Sequence, residues 1–151
     1  MKRQIATDKS QSDRLLKCGV SAESADMMIT PHNTLSAEPY KSVLKERGYC
    51  PSWSIGCLLW LLPKEIQTDK GTAKLRLRVA KESERWIVDY WTWNSPKNTS
   101  RCKWNFRDND PIEACVQLIE WLAENGYALN GFEKGVQINE KYDNPDLLSD
   151  K

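Results

Sequence analysis

His32 is the single histidine of the chain, and the five cysteines, Cys18, Cys50, Cys57, Cys102 and Cys115, are the remaining side chains best suited to metal ligation or nucleophilic attack. Neither set is spaced for that work. His32 lies in a Pro-His-Asn-Thr loop with no serine or cysteine context marking a nucleophile, and geometry rather than presence makes a base. No Cys-x-x-Cys pair occurs, so a zinc site is not expected. Asp108-Asn109-Asp110 groups two carboxylates, but Pro111 opens a helix that Asp110 caps, and Asp108 favours the positive end of that helix. The glycines fall at helix ends, turns and the C-terminal segment, and form no phosphate-cradling loop; Gly56 is expected to let another element approach its helix closely. The expected protein is not an enzyme and carries no cofactor or metal.

One constellation retains chemistry. Lys74, Arg76, Arg78, Arg85, Trp91, Trp93, Arg101, Lys103 and Arg107 share one face of a predicted sheet if Leu75, Leu77, Val79, Trp86, Val88, Tyr90, Cys102, Trp104 and Phe106 face the helices. Tryptophan among arginines suits the centre of a protein interface. Cations interleaved with rings also suit single-stranded nucleic acid, where charge tracks phosphates and rings take bases. A third reading is an ordinary wet face of cross-strand cation–π pairs with Asp89 neutralising a neighbour. The reading favoured here is a protein-binding or self-associating face built on Arg76, Arg78, Arg85, Trp91, Trp93, Arg101 and Lys103. The alternative is a single-stranded nucleic-acid binder using the same residues. Charge weighs against that alternative: residues 108–126 bring five carboxylates and no base close to the sheet, and the chain totals 22 basic against 21 acidic groups.

These residues must be positioned by the rest of the chain. Ser52–Pro63 is the organising stretch, apolar all round, capped by Ser52, stopped by Pro63 and too short to cross a bilayer, so a buried helix is expected. Alternation predicts strands at Lys74–Val79, Arg85–Trp93 and Arg101–Arg107, joined by a Lys81–Glu84 turn and an Asn94–Ser100 loop. Asp110-Pro111-Ile112-Glu113 predicts a helix to Asn125-Gly126, with Glu113 reaching back to the cap N–H. Upstream, Thr7 caps a helix to about Lys17 and Ser21 caps a second one to about Met28, a hairpin that covers the core helix. Its Gly19-Val20-Ser21 turn has the form of a helix-turn-helix, but the second helix offers Glu23 and Asp26 to phosphate and no side chain to read bases. The expected fold is α+β, a three-stranded antiparallel meander with helices on one face in the order α-α-(α)-α-β-β-β-α. One domain spans 1–135: a helical hairpin over 1–30, a variable loop or short helix over 31–51, and the core helix, sheet and final helix over 52–126. Residues 136–151 are expected to form a disordered tail.

Three patterns carry a resemblance: Ala6-Thr7 to Ser10 with Leu15-Leu16, Gly19-Val20 and Ala25-Asp26-Met27; Pro51-Ser52-Trp53-Ser54 with Leu58-Leu59 and Leu62-Pro63; and Asp110-Pro111 with Glu113-Ala114-Cys115 and Trp121-Leu122. Together they cover under half of the chain, which resembles a family of small uncharacterised proteins of phages and mobile elements of gut bacteria. The resemblance implies action inside a bacterial cell and supplies no site residues. It agrees with the odd thiol count, which reads as reduced cysteines, and with a basic start that no apolar run follows, so a cytoplasmic protein is expected.

Overall fold

The computed structural model describes residues 4–68, 71–80, 85–94, 99–133 and 136–137; at 80, 93–94, 99–105, 107, 132–133 and 136–137 only the backbone is described. The chain is an α+β protein. Helix α1 (Lys9–Lys17) is followed by a 3-10 turn at Ala22–Ser24 and strands β1 (Met27–Ile29) and β2 (Leu35–Ser36). A 3-10 turn over Ser42–Arg47 leads to β3 (Cys50–Ser52) and helix α2 (Ile55–Leu61). Strands β4 (Glu65–Thr68), β5 (Gly71–Ala80), β6 (Arg85–Asn94) and β7 (Thr99–Asp108) precede helix α3 (Pro111–Glu124) and a short pair, β8 (Phe132–Glu133) and β9 (Val136–Gln137).

The strands form a small sheet ordered β2-β1-β3 and a large antiparallel one ordered β4-β5-β6-β7. The meander therefore has four strands where alternation predicted three. Glu65-Ile66-Gln67-Thr68 is too short for its period to stand out, and only its pairing with β5 reveals it. Helix α3 lies on β6 and β7 and also meets α1 and α2. Among the described residues, an apolar cluster joins the two sheets, running from Leu15 and Met28 through Trp53 and Leu58 to Val88 and Ile119.

In place of the expected second helix, a 3-10 turn ends at Ser24 and the chain extends into β1. Asp26 explains the change, because its carboxylate accepts the Ser54 N–H at 2.9 Å and the Ser54 hydroxyl, fixing this segment to the start of α2. The cap assignments shift as well. Asp8, not Thr7, caps α1 through a reciprocal box with Gln11. The Thr7 hydroxyl instead takes the Trp53 N–H at 3.0 Å, while Ser52 donates to the Thr7 carbonyl at 2.7 Å. Ser52 thus belongs to β3, and Ser54 caps the shorter helix.

Helix α2 is not buried on every side. Leu58 and Leu61 point into the core, one turn-related stripe, while Gly56 and Trp60 lie on the opposite side and Trp60 remains 46% exposed. Among the described residues no element closes on Gly56, where an added Cβ would meet only the Ser54 hydroxyl at 3.9 Å.

At α3 the cap is divided differently from the expected box. Asp110 accepts from the Ile112 N–H at 3.0 Å, and Asp108 takes the Asp110 N–H at 2.9 Å. Glu113 is left to pair with Arg14 at 2.7 Å, and Gln11 and Gln117 donate to the same carboxylate. Burial disfavours its charge, but the hydrogen bonds from Arg14, Gln11 and Gln117 outweigh burial and hold the Glu113 carboxyl below its ordinary value. A depressed folded-state value contributes stability above the unfolded value of about 4.3, which is lost as pH falls through the folded one. Urea denaturation across pH is expected to show Glu113→Gln less stable than wild type at neutrality, with the two curves converging below about pH 4. Parallel curves would exclude this linkage.

Candidate functional site

The cross-strand register of β5 and β6 places Arg76 opposite Asp89, Arg78 opposite Ile87 and Lys74 opposite Trp91. Asp89 is the centre of the resulting cluster. It is fully buried, and a buried carboxylate is stable only when paired. Arg76 reaches it with Nε at 3.1 Å and Nη2 at 3.2 Å, a forked contact, while Arg78 Nε reaches Oδ2 at 3.2 Å. The Arg76 guanidinium also sits 5.5 Å from the centroid of the Trp91 ring. Both arginines are therefore held by the carboxylate, and Arg76 by the indole as well.

The other expected members disperse. Arg85 is exposed at the far end of β6, opposite Ala80. The β6–β7 register slips between Tyr90 and Trp91, so Trp104 pairs with Tyr90 but Cys102 pairs with Trp91. Lys103 is the extra residue of this bulge, Arg101 pairs with Thr92, and Trp93 pairs with Ser100. The sequence alternation had put Cys102 with Trp104 and Arg101 with Trp91; the bulge exchanges those register positions. The side chains of Trp93, Arg101 and Lys103 lie outside the described residues.

The opposite face of β5 also departs from expectation. Ala73 is buried and Leu75 partly so, but Leu77 is 38% and Val79 48% exposed. Lateral position supplies the reason: α3 packs on β6 and β7, so Val88, directly across from Leu77, is fully buried while β5 lies to the side of the helix.

Among the described residues, no pairing of nucleophile and base emerges elsewhere. His32 is exposed in the β1–β2 turn and makes no hydrogen bond among the described residues. Burial, with Asp26 adding to it, pushes the Cys57 thiol up to about 12, and burial does the same to Cys115, leaving both as poor nucleophiles. Cys18 edges a cleft of about 410 Å³ with Arg14, Lys17 and Glu120, and burial holds its thiol near 11. A second, more apolar cleft of about 690 Å³ lies between residues 4–9 and the β1–β2 hairpin. Among the described residues, no group of three or more histidine, cysteine or carboxylate side chains is placed to hold a metal, and no helix is long and apolar enough to cross a membrane. No family model matches the chain, and neither a curated protein nor a solved structure does.

Proposed function

We propose that the chain is a non-enzymatic binding protein that engages a protein partner through its large sheet, with Arg76, Arg78 and Trp91 at the centre of the contact. The supporting observation is the Asp89 cluster. Two arginines held over a buried carboxylate, one of them also beside an indole, lose little side-chain freedom on binding, and preorganised Trp and Arg are the usual anchors of interface centres. The same cluster counts against nucleic acid, because phosphates would compete with Asp89 for both guanidinium groups. Likeness of three sequence patterns to proteins of phages and mobile elements favours a partner inside a bacterial cell.

Two measurements test this. In anisotropy titrations, labelled single-stranded DNA and RNA are expected to bind more weakly than about 100 µM at about 0.15 M salt. Peptides selected from a displayed library on the wild-type protein are expected to lose affinity for Trp91→Ala by about tenfold or more. Micromolar nucleic-acid binding that weakens with salt and vanishes in a Trp91→Ala, Arg78→Ala variant would overturn the proposal.

A further inference from the structure

Asparagine followed by glycine is the dipeptide most open to self-modification, and it occurs twice in this chain, at Asn125-Gly126 and Asn130-Gly131. The chemistry needs only water. The backbone nitrogen of the glycine, having lost its proton to hydroxide, attacks Cγ of the asparagine. The N–Cγ bond forms, the Cγ–Nδ2 bond breaks, and the amide nitrogen takes a proton from water and leaves as ammonia. Water then opens the five-membered imide at either carbonyl, giving aspartate or the isomer whose main chain runs through Cβ and Cγ. Glycine favours the attack because it has no Cβ to crowd the ring. By sequence the two sites are equivalent.

The fold separates them. Asn125 closes its own helix: its Nδ2 and its N–H both donate to the Trp121 carbonyl, at 2.8 and 3.1 Å, and the Gly126 N–H donates to the Ala123 carbonyl at 3.2 Å. These bonds lie within one last turn, the part of a helix that opens most readily. Glu124, Asn125 and Gly126 are exposed, so opening there frees the side-chain amide and the attacking nitrogen without drawing a buried side chain from the core. Asn130 is held by a different element. Its Nδ2 donates to the carbonyls of Trp60 at 2.7 Å and Leu62 at 3.3 Å, and its N–H to that of Leu61 at 3.0 Å. The end of a helix leaves such carbonyls without a partner, so Asn130 caps α2 across the fold. Leu129, immediately before it, is buried. Releasing Asn130 therefore breaks three bonds to α2 and disturbs the packing of Leu129.

We propose that Asn125-Gly126 is a site of spontaneous covalent modification in the folded protein, converting through the imide to aspartate and isoaspartate, and that its bonds to α2 protect Asn130-Gly131 from the same reaction. The product acts on α3. A carboxylate at position 125 lies at the negative end of a helix whose last turn has no basic side chain and already carries Glu124. It also has no proton to donate to the Trp121 carbonyl. The isomer lengthens the main chain at the point where the N–H groups of Gly126 and Tyr127 close the helix on Ala123 and Leu122. The modified chain frays at the end of α3.

The test ages the full chain, folded, at mildly alkaline pH and body temperature beside a sample unfolded in guanidinium chloride at the same pH, and follows both by peptide mass spectrometry. In the unfolded chain the two sites are expected to convert at similar rates. In the folded chain Asn125 is expected to convert within about tenfold of its unfolded rate, and Asn130 at least about tenfold more slowly than Asn125, because a last turn opens at little cost and a docked segment does not. The Asn125 product is expected to contain isoaspartate as well as aspartate, the mark of the imide. Aged wild type is expected to unfold at a lower urea concentration than fresh protein, whereas Asn125→Gln, which keeps the amide donor but must close a larger ring, keeps its midpoint. The proposal is overturned if Asn130 converts as fast as Asn125 in the folded chain, or if Asn125 is intact once the unfolded chain has fully converted. A product that is aspartate alone, or ageing that lowers the wild-type and Asn125→Gln midpoints equally, would overturn it too.

Discussion

Trp53→Ala is expected to lower the free energy of unfolding by about 3–5 kcal/mol, and Trp60→Ala by about 1–2 kcal/mol, although both tryptophans belong to one apolar stretch. Trp53 is fully buried, and its indole N–H donates to the Ser24 hydroxyl at 3.0 Å. Its removal opens a cavity where β3, the Ala22–Ser24 turn and α2 meet, and deletes that hydrogen bond. Backbone contacts add to the coupling, since the Thr7 N–H reaches the Trp53 carbonyl at 2.9 Å and ties the N-terminal segment to the same point. Trp60 sits seven residues on, on the side of α2 away from Leu58 and Leu61, where nearly half its surface already meets water. Urea denaturation of the two variants reads the difference. Equal losses would mean that α2 is buried all round, as the sequence alone suggested.

Local chemistry is legible in the sequence, and relations between distant segments are not. Asp110-Pro111 announces α3 because capping chemistry is local, and alternation over six to nine residues locates the centres of β5, β6 and β7, short of their full ten residues. The exposed side of α2 was illegible, because which side of an all-apolar helix is left open depends on the neighbours available to cover it. Residues 22–28 have a helical pattern but form a 3-10 turn and β1, because Asp26 acts on Ser54, 28 residues away. The bulge at Tyr90/Trp91 leaves Cys102-Lys103-Trp104 alternating normally and exists only as a relation between two strands. Of the candidate site, Arg76, Arg78 and Trp91 are visible as residue types, and the reading of the face as cation–π pairs already has Asp89 neutralising a neighbour; that it holds both arginines at once required the register.

Asp89→Asn is expected to be the most informative change at the site, because it acts on stability and on ligand choice in opposite directions. The amide keeps the shape of the carboxylate but gives up the charge that balances Arg76 and Arg78, and breaking a buried pair costs about 3–5 kcal/mol when the cations cannot relax. Here they can: the arginine side chains are 34% and 39% exposed and can turn to water, so a loss of about 2–3 kcal/mol is expected. Two guanidinium groups released from Asp89 also become candidates for phosphate. If Asp89 is what makes this face unsuited to nucleic acid, the variant should bind single-stranded DNA more tightly than wild type, with a salt dependence steeper by about 1.4 in the log–log slope for two added phosphate contacts. Peptides selected on the wild-type sheet should weaken in the same variant, because Arg76 is no longer held beside Trp91. An Asp89→Asn protein that unfolds at the wild-type urea concentration would remove Asp89 as the organiser of the cluster. One that is destabilised, yet binds the peptides unchanged and gains nothing toward DNA, would confine Asp89 to folding and move the partner's contact away from Arg76 and Trp91.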